Sequence, residues 1–253
     1  MTNCKKCGKK KWLKTARRAI VDGKEVRVWR CFNGMCGHEQ AEEAPFVEQT
    51  IKPKVLYFDI ETALMKTYNF SLFVPGKYIN PEAIAEQSFV ICWAAGWLAE
   101  SGEFQYIYSD CVSQCEAVRC DDKRVLQSLW KMQDNADYCA GHNSKAFDVK
   151  VVNYRYFMNK MPAPYQFKQV DSLKMAKEHF KAPSNKLDEW IKALGGDGKH
   201  EMNLDDWKQI AIDGNPERLL KMEMYCRNDV RGGIGVLNEI TAWIESSGKK
   251  VYK

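Results

Sequence analysis

Asp59 and Glu61 stand two residues apart in the stretch VLYFDIETA, residues 55–63. A short apolar run of this kind reads as a buried strand. On a strand, an i, i+2 spacing puts both carboxylates on one face. Two acids aimed together from a core strand repel each other and resist desolvation. A cation between them removes both penalties, and hard cations prefer oxygen ligands. The chemistry open to the pair is therefore binding of Mg²⁺ or Mn²⁺. The other reading is a strand end at which both acids simply reach water.

Two later stretches carry residues of matching type. DYCAGHNSKAFD, residues 137–148, reads as a short strand ending at Gly141-His142-Asn143, then a helix starting around Ala146 and Phe147. Asp148 falls in the first turn of that helix, where a carboxylate can reach into a cleft at the strand's end. Asn143 can cap the helix or touch a substrate. His142, beside a glycine turn, reads as a hydrogen-bonding loop residue. LLKMEMYCRND, residues 219–229, reads as a helix with Leu219, Leu220, Met222 and Met224 on its apolar side. Tyr225 and Asp229 are i, i+4 on it and share a face. They are either a hydrogen-bonded core pair or two working groups presented to a cleft.

The elements that must position these residues can be read in outline. Residues 64–87 read as a long loop, whose Tyr68, Phe70, Phe73, Pro75 and Tyr78 either line a channel or pack over the body's edge. Residues 88–98 and 104–108 read as strands joined at Gly102, and residues 122–133 as an amphipathic helix with Val125, Leu129, Trp130 and Met132 on or near its apolar face. Cys111, Cys115 and Cys120 lack a paired-cysteine spacing and read as free loop thiols. Residues 167–172 read as a strand ending at Asp171, which supports the site or caps the next helix. Helical stretches follow over 173–180 and 186–194, then a Gly-rich connector over 195–203 and a final helix over 234–244.

The first forty residues differ in character. They hold 11 Lys and Arg against 3 Asp and Glu, leaving 27 against 30 for the rest of the chain, so the net charge of +5 belongs to the head. Cys4-x2-Cys7 and Cys31-x4-Cys36 offer four soft ligands for a tetrahedral Zn²⁺, with Gly8 and Gly37 suited to the knuckle turns and His38 as a substitute ligand. GKEVRVWRC reads as a strand leading into the second pair. This pattern resembles a zinc ribbon, and a head so small needs such a staple. Its basic surface, interleaved with Trp12 and Trp29, is either a nucleic-acid phosphate contact or a solvated face. The expected organisation is a basic zinc ribbon over 1–40, a linker over 41–53 and a body over 54–253.

At 253 residues the chain can bury a sizeable core, and its ordinary apolar content excludes wholesale disorder. No apolar run approaches the roughly 18 residues of a membrane span. With a charged N-terminus and no signal-peptide pattern, the expected location is the cytoplasm, where ten cysteines point to metal ligation or free thiols rather than disulfides.

Taken together, the three acidic stretches resemble the three exonuclease motifs of the DEDD superfamily, the DnaQ-like branch of the RNase H-like fold. The resemblance rests on Asp59-x-Glu61 on a first strand, Asn143-x3-Phe147-Asp148 at a strand-to-helix junction and Tyr225-x3-Asp229 on a late helix, and it covers residues 54–245. Tyr225 places it in the tyrosine-bearing subclass, as in the proofreading domains of family A and B DNA polymerases. The resemblance implies an α/β fold with a five-stranded mixed sheet flanked by helices. It further implies that Asp59 bridges two Mg²⁺ or Mn²⁺ ions. Glu61 and Asp229 complete one shell, and Asp148 acts on the other. Tyr225 orients the attacking water. Thr62, Ala63 and Leu64 would meet the 3′-terminal nucleotide, with Asn143 and Phe147 as further substrate contacts. The chemistry also stands on its own terms: phosphodiester cleavage needs a nucleophile near neutral pH and charge stabilisation on the leaving oxygen, and two metals about 4 Å apart supply both.

The expected activity is 3′→5′ exonucleolytic release of nucleoside 5′-monophosphates, chiefly from single-stranded DNA. The competing expectations are an endonuclease or ribonuclease on the same fold, a nucleic-acid-binding module centred on the ribbon, and a proofreading subunit serving a polymerase or repair partner in trans.

Overall fold

The strand expected in GKEVRVWRC lies in a three-stranded antiparallel sheet of order β1-β2-β3, formed by β1 (Trp12–Val21), β2 (Lys24–Cys31) and β3 (Glu39–Ala41). The register of β1 on β2 shifts between Lys14 and Arg18, an irregularity that twists and bends such a pair. The structure is a computed structural model that describes residues 12–21, 24–31, 38–41, 53–69, 79–98, 104–196 and 202–252. The expected zinc ligands Cys4, Cys7 and Cys36, and the side chain of Cys31, lie outside the described residues. The chain divides into two units, Met1–Ile51 and Lys52–Lys253.

The second unit is built on β4 (Val55–Thr62), the strand that carries Asp59 and Glu61. Its first four residues are all buried. After it, residues 64–87 are not wholly a loop: β5 (Lys66–Thr67) pairs with β6 (Ile84–Glu86). Of the aromatics expected there, Tyr68 is exposed, and Phe70, Phe73 and Tyr78 lie outside the described residues. β7 (Val90–Leu98), β8 (Phe104–Cys111), β9 (Tyr138–Gly141) and β10 (Lys168–Asp171) complete a five-stranded sheet of order β10-β9-β4-β7-β8. β4–β7 and β7–β8 are antiparallel, whereas β4–β9 and β9–β10 are parallel. The sheet is therefore mixed, as expected. The turn at Gly102 lies outside the described residues.

Alternation along β7 turns successive side chains to opposite faces. On one face the Trp93 indole donates to the Val125 carbonyl of α2 (Lys123–Asp134) at 2.8 Å. On the other, Cys92 meets Cys226 of α7 (Pro216–Ser246), which packs on β4, β7 and β8. Helices thus flank both faces. The fully buried Asp122 ties this arrangement together. It accepts from the Val90 N–H, from Arg155 through Nε and Nη2 at 2.6 and 2.8 Å, and from Asn159, the last two lying in and just after α3 (Asp148–Met158).

Two expectations change here. The helical stretches at 219–229 and 234–244 are one 31-residue helix, opened by Asn215, which accepts from the Glu217 and Arg218 N–H groups, and by Pro216 at its first position. Gly232, Gly233 and Gly235 do not break it, because its buried stripe from Leu219 to Ile244 packs along the sheet. At Gly233 a β-carbon would collide with the Tyr57 hydroxyl, so glycine is what lets α7 lie against β4. The three cysteines expected in one loop are also placed differently. Cys111 ends β8, Cys115 lies in α1 (Gln114–Val118), and Cys120 follows that helix. All three are free thiols. The remaining helices are α4 (Ser172–His179), α5 (Leu187–Ala193) and α6 (Leu204–Asp213). No helix among the described residues is long and apolar enough to cross a membrane.

Candidate active site

The site forms where β4 outruns one of its neighbours. β4 pairs with β7 from Leu56 to Thr62, but with β9 only from Val55 to Tyr57. From Phe58 onward the β9 side is open, and the chain leaving β9 fills it. Gly141 makes this possible, since a β-carbon there would lie 2.9 Å from the Phe58 carbonyl oxygen and 2.6 Å from the Ser144 β-carbon. Asn143 then adopts a left-handed conformation (φ 66°), to which asparagine is better suited than most residues. Asp148, the first residue of α3, returns to β4 and accepts the Ile60 N–H at 3.3 Å.

Asp171 holds this crossing in place. Its Oδ1 accepts from the N–H groups of Asn143 at 3.0 Å, Leu173 at 3.0 Å and Lys174 at 3.3 Å, and its Oδ2 accepts from Lys145 at 3.2 Å. It therefore caps α4, one of the two roles expected of it, and also pins the 143–145 turn. His142 is the hydrogen-bonding loop residue expected, with Nδ1 2.9 Å from the Ser172 hydroxyl and Nε2 2.9 Å from the Asn185 carbonyl. Asn143 does not cap α3. The cap position belongs to Phe147, without a side-chain hydrogen bond, and Asn143 instead accepts the Ala146 and Phe147 N–H groups through its carbonyl.

Asp59 and Glu61 meet Asp229 of α7, with one ligand atom from each lying within 4.8 Å of the others. Residues 168 to 170 positions apart in sequence are thus brought into one cluster by the packing of α7 on β4. An all-oxygen set of this size suits a hard divalent cation. Among the described residues no other three acids, histidines or cysteines are gathered as closely as these.

The surroundings register the concentrated negative charge. Cys226, on α7 between Tyr225 and Asp229, has its sulfur 3.5 Å from the Asp59 carbonyl and 3.7 Å from its Oδ2. Burial foremost pushes its thiol up to about 12, with Asp59, Glu61 and Asp229 adding and a contact from Cys92 opposing. The Tyr57 phenol is raised by burial and then by Asp59. A bound cation would relieve this field, so the residues present fit one.

Asp148 stands beside the cluster rather than in it. It is 4 % exposed. Burial pushes its carboxyl up to about 6, opposed by hydrogen bonds from its own and the Ile60 backbone and assisted by the charge of Asp171. Of the expected nucleotide contacts, Thr62 and Leu64 are half-buried and Asn143 and Phe147 are exposed. Ala63 is buried, its N–H donating to Phe89 and its carbonyl accepting from Ser88. Tyr225 is half-buried, one turn before Asp229.

One neighbour of the site was not anticipated from sequence. Trp207 of α6 donates its indole N–H to the Thr62 carbonyl at 3.2 Å and sets its ring edge-on to Tyr225. The signal that marks its helix is the capping box Asn203-x-x-Asp206, hidden behind a stretch that reads as connector.

No family model and no curated protein matches the sequence. Among solved structures, the chain is similar to the family B DNA polymerase from the hyperthermophilic archaeon Pyrobaculum calidifontis, with a TM-score of 0.54 and 15 % identity. The match covers 90 % of this chain and 28 % of that one, so the chain spans little more than a quarter of the polymerase's length. The likeness is one of fold, a mixed five-stranded sheet flanked by helices, consistent with an RNase H-like fold.

Proposed function

We propose that the chain is a metal-dependent 3′→5′ exonuclease that releases nucleoside 5′-monophosphates, with single-stranded DNA as its principal substrate. The observation that carries this reading is the convergence of Asp59, Glu61 and Asp229 within 4.8 Å, with Asp148 bonded to the backbone between the first two. A binding module for polyanions has no use for converging carboxylates, which repel phosphate. Mg²⁺ or Mn²⁺ held there would neutralise charge on the scissile phosphate and make water a competent nucleophile near neutral pH.

The chain's own residues divide the remaining work. Asp59, Glu61 and Asp229 form the cradle, and Asp148 completes the DEDD set from the β9 side. Tyr225 orients the attacking water. Thr62, Ala63 and Leu64 meet the 3′-terminal nucleotide. Asn143 and the exposed ring of Phe147 offer a polar contact and a stacking face for the same strand. In the first unit, Cys4, Cys7, Cys31 and Cys36 would hold one structural Zn²⁺, and the basic surface would hold the phosphate backbone.

A 5′-labelled single-stranded oligonucleotide incubated with Mg²⁺ or Mn²⁺ should shorten stepwise from its 3′ end, while a circular single strand stays intact. Asp59→Ala should reduce cleavage to background. Parallel duplex and RNA substrates rank the preference. If the wild-type chain is no more active than Asp59→Ala, the enzymatic reading falls, and if it opens the circle, the chain is an endonuclease.

A further inference from the structure

Tyr225 cannot orient a water unless its own ring is held. A tyrosine χ2 is a broad two-fold torsion, so the contacts on the ring decide how the hydroxyl is aimed. Trp207 touches both sides of the problem. Its ring meets Tyr225 edge to face, with centroids 6.5 Å apart and planes at 76°, a favoured aromatic geometry. Its indole N–H reaches the Thr62 carbonyl at 3.2 Å, on the residue directly after Glu61.

Trp207 is itself firmly placed. Asn203 and Asp206 form a reciprocal capping box at the start of α6, each bond 3.0 Å. Asp206 is buried and draws in two cations of α7, Lys221 at 2.7 Å and Arg218 at 2.9 Å. Lys221 lies one turn before Tyr225. The ion pairs therefore fix α6 against the same stretch of α7 that carries Tyr225, and Trp207 follows Asp206 directly. Nothing in the three acidic motifs includes this residue.

We propose that Trp207 is a positioning residue for Tyr225, tying its ring to the end of β4 so that the hydroxyl keeps one orientation relative to Asp59 and Glu61. The inference rests on the nuclease reading and deepens it. A positioning role predicts a change in turnover without a change in substrate or metal affinity. It also predicts that the effect passes through Tyr225.

The test is a double-mutant cycle in steady-state kinetics on labelled single-stranded DNA with Mn²⁺. Trp207→Leu should lower kcat between about 10- and 100-fold, the scale of a misplaced catalytic group. KM and Mn²⁺ affinity should stay within about twofold of wild type. In a Tyr225→Phe background, which already lacks the hydroxyl, Trp207→Leu should cost no more than about twofold further, because residues acting as a unit are not additive. Trp207→Phe keeps the aromatic edge but not the donor to the Thr62 carbonyl, and should recover part of kcat. Circular dichroism and thermal unfolding show whether Trp207→Leu folds, and if it does not, the cycle is run with Trp207→Phe alone, whose smaller loss must likewise vanish beside Tyr225→Phe. Additive losses, or a rise in KM at unchanged kcat, overturn the inference while leaving the nuclease reading intact. A wild-type chain that cleaves nothing overturns the nuclease reading and this inference with it.

Discussion

Asp148 is a buried carboxyl beside the acidic cluster. It is a carboxylate 4 % exposed, held at the start of a helix by a single backbone donor from β4. Its folded value of about 6 lies above the ordinary 3.8, raised chiefly by burial. A raised carboxyl keeps its proton in the folded chain while the unfolded chain has already lost it. Its contribution to stability is therefore complete below the unfolded value and is lost as pH rises through the folded one. In metal-free protein, stability should fall between pH 4 and 6 by about 2–3 kcal/mol from this group. Asp148→Asn can still accept the Ile60 N–H and carries no charge. It should flatten that slope and stabilise the metal-free chain at pH 8, while abolishing cleavage. Urea unfolding in chelator at pH 4, 6 and 8 checks this, and an unchanged slope in the variant would assign the pH dependence to other groups.

At the scale of elements, the decisive contact is α7 on β4. Without it Asp229 would be an exposed helix acid and Tyr225 an ordinary surface aromatic. Gly233 sets how closely that helix approaches. Gly233→Ala would drive a methyl group into the Tyr57 ring, and overpacking of this kind costs about 1–3 kcal/mol. Because the helix must lift from the sheet, it should also weaken metal binding. Gly235 is the internal control. It lies on the exposed side of the same helix, and a β-carbon there meets nothing within 4 Å. Gly235→Ala should stabilise by up to about 1 kcal/mol through helix propensity alone. Thermal unfolding of the two variants, with Mn²⁺ titration of Gly233→Ala, separates the effects, and a neutral Gly233→Ala would mean that α7 tolerates a looser fit than its packing shows.

For the molecule as a whole, the division into Met1–Ile51 and Lys52–Lys253 follows a division of charge, because the basic excess lies entirely in the first forty residues. On the nuclease reading, the first unit gathers substrate and the second cuts it. Removing residues 1–45 should leave kcat near wild type, raise KM, and flatten the dependence of affinity on salt, since fewer counterions are released on binding. A zinc-selective chelator should act on the full-length chain in the same direction. Loss of kcat in the truncated protein would instead make the first unit part of the catalytic machinery.

The sequence by itself determined the central strand and that both of its acids share a face, because side chains at i, i+2 on a strand point the same way. It also determined Asp148 at a helix start and the shared face of Tyr225 and Asp229, since those depend on local spacing alone. The mixed five-stranded sheet was implied by the family resemblance those stretches carry, not by their spacing. What the sequence did not determine rests on contacts between distant segments. That Asp59, Glu61 and Asp229 meet depends on the packing of α7 on β4, and that Asp148 stands aside depends on where β9 stops pairing with β4. The single helix in place of two depends on tertiary packing overriding the low helix propensity of Gly232, Gly233 and Gly235. Trp207 was hidden for the same reason: an indole 145 residues from Thr62 joins the site only once α6 is pinned to α7. Local pattern names the groups that can do chemistry, and long-range packing decides which of them meet.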